Sequence, residues 1–175
     1  MMKKINVSEL EKHIPQLCVG DRVLLSGTVY TARDAAHKRI LSLMQSGKEP
    51  PFDLRGAVIY YAGPTPAKNG LAVGSCGPTT SSRMDVFTPY LIENGLIGMI
   101  GKGQRSEEVR LAIKEHSGIY FCAVGGAGAL ASKAIKECSV IAFPELGCES
   151  VKKMIVEDFA LIVGIDARGN SIFKQ

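Results

Sequence analysis

The sequence predicts an α/β fold, and three observations carry that reading. Apolar runs of strand length alternate with capped helical stretches through the middle of the chain. Glycine and proline cluster between these runs. Asp166-Ala167-Arg168-Gly169-Asn170 has the residues of a hairpin turn between the short runs Leu161–Ile165 and Ser171–Phe173. The 175 residues, 46% of them hydrophobic, are expected to form one domain, 1–175, with a core of its own.

Residues 1–16 read as a lead-in whose short helix has Ser8 and Glu11 in capping-box spacing and ends at Pro15. Gly20-Asp21 turns the chain into a strand over Arg22–Val29. A helix is expected from Thr31 to Gln45, stopped by Gly47 and Pro50-Pro51, followed by a strand over Gly56–Ala62. Residues 63–80 read as loop, with room for one short strand near Leu71-Ala72-Val73. Then come a helix over Ser81–Asn94 and a strand over Ile97–Ile100. Ser106 caps a helix with Glu107 and Glu108 in its first turn and Gly118 at its end. A strand over Ile119–Val124, a helix over Gly128–Cys138 and a strand over Val140–Phe143 complete a mixed sheet with a terminal hairpin.

Composition removes several functions. The chain has no Trp and few Tyr or Phe, which speaks against stacking platforms for single-stranded nucleic acid. Its net charge of +4 is spread along the chain, as on a solvated surface and not as a nucleic-acid footprint. Five cysteines, an odd number with no C-x-x-C spacing and no signal peptide, predict a reducing, cytoplasmic setting. No run reaches the length of a membrane span. The three histidines are scattered without zinc-ligand spacing, so no metal site is expected in this chain.

Two expected helix starts break a local rule in the same way. In Thr31-Ala32-Arg33-Asp34-Ala35-Ala36-His37, Thr31 and Asp34 have capping-box spacing and Arg33 falls in the first turn. In Gly77-Pro78-Thr79-Thr80-Ser81-Ser82-Arg83, hydroxyls crowd the cap and Arg83 lies about one turn in. The helix dipole disfavours a cation there by roughly 0.3–1 kcal/mol. Two readings stay open: each Arg reaches a surface carboxylate, or the arginines and free N–H groups hold a bound anion. His37 shares a helix face with Arg33 and either orients or protonates a ligand, or is structural. Gly101-Lys102-Gly103 follows a strand, and its glycines let backbone approach a ligand beside the Lys charge; an ordinary turn has the same pattern.

Gly126-Ala127-Gly128-Ala129-Leu130-Ala131 matches G-x-G-x-x-A between a strand and a helix, with Glu145 about 20 residues on as a ribose-binding acid. A dinucleotide-dependent oxidoreductase is one reading of it. The short remainder after Glu145 holds a hairpin instead of further βα units, which favours tight strand-to-helix packing.

Taken in register, these segments resemble the β subunit, equivalently the C-terminal domain, of the class I (iron–sulfur) fumarate hydratase and L-tartrate dehydratase family. The resemblance rests on G-T-V-Y-T-A-R-D-A-A-H-K-R at 27–39, G-P-T-T-S-S-R-M-D at 77–85 and G-K-G at 101–103. It continues in G-G-A-G-A-L at 125–130, E-L-G-C-E-S at 145–150 and D-F…D-x-x-G-N at 158–170. It implies a swivelling β/β/α fold and an α-subunit partner, in an expected α2β2 assembly. That partner carries a 4Fe–4S cluster on three cysteines, this chain binding none, and one iron is left open for the substrate's hydroxyl and carboxylate.

The resemblance also implies that Arg33, Arg83 and Lys102 grip the carboxylates of a C4 dicarboxylate, fumarate/malate or tartrate/oxaloacetate. Thr79 is implied as the base at the carbon that gains or loses a proton, with Thr80 adjacent; His37 completes the expected substrate-binding set. Fixed cations would stabilise the charge that proton removal builds on a neighbouring carboxylate, and Lewis-acidic iron would take the hydroxide. A threonine hydroxyl needs an activating group, which is expected from the partner, with Asp85 as the local alternative. Cys148 and Ser150 depart from the family's expected residues and leave Glu149 without an assigned role. A non-catalytic dicarboxylate-binding module is the remaining alternative.

Overall fold

The computed structural model describes residues 1–123 and 128–173. Its strands are β1 (Lys3–Asn6), β2 (Arg22–Thr31), β3 (Val58–Tyr60), β4 (Gly98–Gly101), β5 (Ile119–Ala123), β6 (Ile135–Ala142) and β7 (Val151–Ile165). Its α-helices are α1 (Leu10–His13), α2 (Asp34–Gln45), α3 (Thr88–Glu93), α4 (Glu107–His116) and α5 (Gly128–Ala134). The strands join in the order β1-β2-β3-β4-β5-β7-β6, and β2 also pairs with β7. That extra pairing curls the sheet into a partly closed barrel. Neighbours from β1 to β5 run parallel, whereas β7 is antiparallel to β2, β5 and β6. The mixed sheet with flanking helices is the α/β class that the sequence predicts.

The central strands are buried on both faces, which is why they read as unbroken apolar runs. Successive side chains point to opposite faces. Val58 and Tyr60 join Leu25, Ile100, Phe121 and Val163 in one apolar cluster. Ile59 and Tyr61 join Met99 and Tyr120 in the other, covered by Ile40 of α2, Leu91 of α3 and Ile113 of α4. Each fully buried side chain of this kind contributes about 1.5–3 kcal/mol. The predicted cap of α4 is in place: Ser106 Oγ accepts from Val109 N, and Glu107 and Glu108 occupy the first turn.

Several predicted bounds shift for identifiable reasons. The Ser8 cap is replaced by Asn6, whose side chain accepts from Ser8 N, and Lys3–Asn6 pairs as a parallel strand beside β2. Thr31 ends β2 instead of opening a helix, because its Oγ1 accepts from Lys152 N at 3.1 Å across the β2–β7 pairing. The single helix expected over Ser81–Asn94 is a 3-10 turn, Ser81–Met84, followed by α3, with Pro89 in α3's first turn. Proline has no N–H to carry a helix through from Asp85. The helix expected to reach Cys138 stops at Ala134, since Ile135–Ala142 pairs with β7. Residues 151–160 carried no strand assignment, yet they belong to β7. Asp158 takes a φ of 50° there and its N–H bonds Ser26 Oγ, which breaks the two-residue alternation. The hairpin turn at 166–170 forms on the buried Asp166 carboxylate, with Ser171 bridging Ile165.

Candidate functional site

Arg33, Thr79, Thr80 and Lys102 lie at or against the carboxyl ends of the parallel strands, where α/β sheets bind ligands, whereas Arg83 and His37 sit in the turn and helix beside them. Thr31 of β2 stands opposite Tyr60 of β3, and Tyr60 opposite Ile100 of β4. Two residues beyond that level come Arg33, Ala62 and Lys102. With strands about 4.8 Å apart, the chains bearing Arg33 and Lys102 leave the sheet about 10 Å apart, on either side of β3. The loop before Ser81 crosses these ends. Thr79 N donates to Tyr61 O at 2.7 Å, Thr80 bridges Lys102, and Ser81 N donates to Lys102 O at 2.9 Å. Gly101 permits this approach, since a side chain there would collide with Ser81.

Arg33 is the N-cap residue of α2, not a first-turn residue. Its guanidinium packs against Gly63, its buried Nε has no hydrogen-bond partner, and Glu149 Oε1 stands 3.9 Å from that Nε. Arg83 belongs to the 3-10 turn Ser81–Met84 and reaches α2: its Nε donates to Asp34 Oδ1 at 3.1 Å, and its Nη2 stands 2.9 Å from Oδ2. Thr80 and Lys102 are exposed and Thr79 is half-buried. His37 is buried, with Nδ1 2.8 Å from the Arg33 carbonyl, a contact in which the ring must donate. Its ring packs against Tyr61 and Phe87, and burial pushes its pKa down to about 4. His37 therefore stands behind Arg33 as a neutral imidazole at pH 7, with Nε2 unpartnered.

Two side chains escaped notice in the sequence, and so did the ion-pairing role of a third. Arg105 is enclosed between the Tyr61 and Tyr120 rings; its Nε donates to Asp85 Oδ1 at 2.6 Å and its Nη2 to Tyr61 Oη and Thr88 Oγ1. Asp85 Oδ2 also accepts from Ser106 N, so this carboxylate is committed away from Thr79. Lys152 of β7 turns its buried ammonium onto the carbonyls of Gly147, Cys148 and Ser150 and onto Ser150 Oγ, fixing the segment that carries Glu149. The third is Asp34, counted only as a capping-box partner. No local pattern announces any of them, because each is defined by a partner from another element.

Within the glycine run, residues 124–127 lie outside the described residues. Gly128 packs on the loop before Pro78, where an added side chain would meet Ser75 Oγ at 2.5 Å, as close helix packing requires. Glu145 forms an ion pair with Arg39. Cys76 is buried, and its thiol is pushed up to about 12 by desolvation. Among the described residues no three His, Cys, Asp or Glu side chains gather as metal ligands, and no helix is long and apolar enough to cross a membrane. A cleft of about 540 Å³ lined by Met44, Phe52, Asp53 and Arg55 contains none of the candidate residues.

A family model described as "Fumarase C-terminus" matches residues 1–175. Fumarate hydratase 2 of Leishmania major is 39% identical over 171 residues, covering 97% of this chain and 30% of that protein. The anaerobic class I fumarate hydratase of Escherichia coli (strain K12) is also 39% identical over 171 residues, covering 97% and 31%. The chain thus spans under a third of the length of these two enzymes. A putative L(+)-tartrate dehydratase subunit beta of Methanocaldococcus jannaschii is 37% identical over 171 residues, covering 94% of this chain and 88% of that protein.

Proposed function

This chain belongs to the fumarase C-terminal family, and from that membership we propose that it is one part of a hydro-lyase acting on a C4 dicarboxylate. Fumarate and malate are the first choice of substrate, tartrate and oxaloacetate the second. The observation that carries the reading is the meeting of Arg33, Lys102, Thr79 and Thr80 on adjacent strand ends, with Arg83 close by on Asp34. A dicarboxylate has two anionic ends and needs cations on separate supports. Arg33 and Lys102 leave strands on either side of β3, while Thr79 is anchored on Tyr61 at the end of β3 itself.

In this reading Arg33, Arg83 and Lys102 hold the carboxylates and stabilise the charge that develops when the neighbouring carbon loses its proton. Thr80 adds a hydrogen bond to the substrate. Thr79 accepts that proton through its hydroxyl, and returns it in the hydration direction. The hydroxyl must be activated. Asp85 is held by Arg105 and Ser106, which supports placing the activating group on the partner. His37 contributes by holding the Arg33 carbonyl. The open strand ends support a site closed by an α subunit, in an α2β2 assembly, that carries the iron–sulfur cluster. Among the described residues no three His, Cys, Asp or Glu side chains gather to hold a cluster.

The test is to combine the chain with its α subunit under anaerobic iron–sulfur loading and follow water addition to fumarate and dehydration of malate and tartrate. Turnover is expected from the loaded pair alone. Thr79→Ala should cut kcat by about 100-fold or more with KM within about threefold, and Arg33→Ala should raise KM as well. Turnover by the chain without a partner would sink the two-part reading.

A further inference from the structure

Arg83 offers five N–H donors, and only one edge of its fork is occupied. Nε donates to Asp34 Oδ1 at 3.1 Å, Nη2 lies in ion-pair contact 2.9 Å from the buried Oδ2 without a hydrogen bond to it, and Arg83 makes no other polar contact among the described residues. The guanidinium is planar, so fixing one edge fixes the direction of the others. Its end edge, Nη1 with the outer hydrogen of Nη2, is left for a second carboxylate. Asp34 is also the residue after Arg33 and opens α2. One carboxylate thus joins the turn carrying Arg83 to the strand end carrying Arg33, the two arginines that a dicarboxylate would bridge.

Asp34 has an ordinary structural use as well. An acid in the first turn of a helix favours the dipole, and α2 has Asp34 as its first-turn acid. That use would be satisfied by a carboxylate pointing into solvent. The Asp34 side chain is instead 28% exposed and turned onto an arginine that is itself 51% exposed. An ion pair this open adds little to folding. Its effect is on where the guanidinium points.

We propose that Asp34 is a positioning residue for the dicarboxylate site: it clamps one edge of the Arg83 guanidinium so that the end edge is presented to a substrate carboxylate. The inference rests on the hydro-lyase reading above. It concerns how tightly the substrate is held and gives Asp34 no contact with the reacting atoms.

The experiment uses the chain with its α subunit and four variants, Asp34→Ala, Asp34→Glu, Arg83→Ala and the Asp34→Ala/Arg83→Ala pair, assayed for KM, kcat and thermal unfolding. Asp34→Ala should raise KM for the dicarboxylate about tenfold with a smaller fall in kcat, since Arg83 also faces the developing charge. Asp34→Glu keeps an acid at the helix start but displaces its carboxylate by a methylene, so KM should rise while the unfolding temperature holds. In the Arg83→Ala background Asp34→Ala should add nothing further. An unchanged KM, or equal effects of Asp34→Ala with and without Arg83, would overturn the assignment. So would a fall in KM, which would mean that Asp34 competes with substrate for Arg83. A wild-type pair that neither binds nor converts a C4 dicarboxylate, by calorimetry and turnover, would sink the hydro-lyase reading itself. That outcome is distinct from any change confined to the variants.

Discussion

The turn Ser81–Asp85 is stapled by charge on both sides, and the two staples are built differently. On one side Asp85 binds Arg105, whose side chain is fully buried between two tyrosine rings. On the other, Arg83 binds Asp34 with its guanidinium half in water and the carboxylate partly so, only Asp34 Oδ2 being enclosed. A buried pair cannot lose one member without stranding the other charge, whereas an open pair can be rehydrated. The buried staple holds the loop to α4. The open one leaves donors unused, and unused donors beside fixed strand ends are what a site for an anion requires.

That contrast is broken most directly at Asp85. Asp85→Ala strands the Arg105 charge and should cost about 3–5 kcal/mol by chemical denaturation. The corresponding fall in Tm is roughly 10 °C for a chain of this size. An effect below about 1 kcal/mol would mean that Arg105 is not the buried anchor its contacts describe.

His37 tests how dry the buried side is, since its ring shares Tyr61 with Arg105. Unfolded, it titrates near its ordinary value of about 6.5; folded, burial holds it at about 4. Between those values the unfolded chain binds a proton that the native chain refuses. Stability should therefore decline by about 3 kcal/mol as pH falls through this window, and His37 should contribute no slope above it. His37→Phe should flatten that part of the stability–pH curve relative to wild type. The smallest effect is expected on the open side. Asp34→Asn should change unfolding free energy by no more than about 1 kcal/mol. A loss as large as that of Asp85→Ala would erase the distinction between the staples.

How much of this was legible in the sequence differs by element. The strands expected over Arg22–Val29, Ile97–Ile100 and Ile119–Val124 (described as far as Ala123), the Ser106 cap and the Asp166–Asn170 turn depend on local chemistry, and they stand near their predicted places. β1, β6 and the first ten residues of β7 depend on pairing. β6 is mostly exposed along its length, and β7 is bent at Asp158, so neither carries a clean period of two. At the site, unusual residue types drew attention to Arg33, Arg83 and Lys102, and the family motifs supplied Thr79. The expected first-turn placement is not what the structure shows: Arg33 caps its helix and Arg83 sits in a short 3-10 turn. Arg105 was invisible because its enclosure comes from tyrosines on two other segments.

The pairing of β2 with β7 has a consequence for how the molecule is made. Arg22 lies opposite Ile162 and Thr31 opposite Lys152, so β2 cannot complete its ladder until the seventh strand has been synthesised. Contacts this distant in sequence form late, because loop closure must precede any gain from them. A nascent chain emerging from the ribosome will carry β2 with one open edge, exposed to association with other chains. β2 thus gains its second neighbour only once β7 has emerged, and slowing translation before β7 should lower the yield of native protein more than slowing it afterwards.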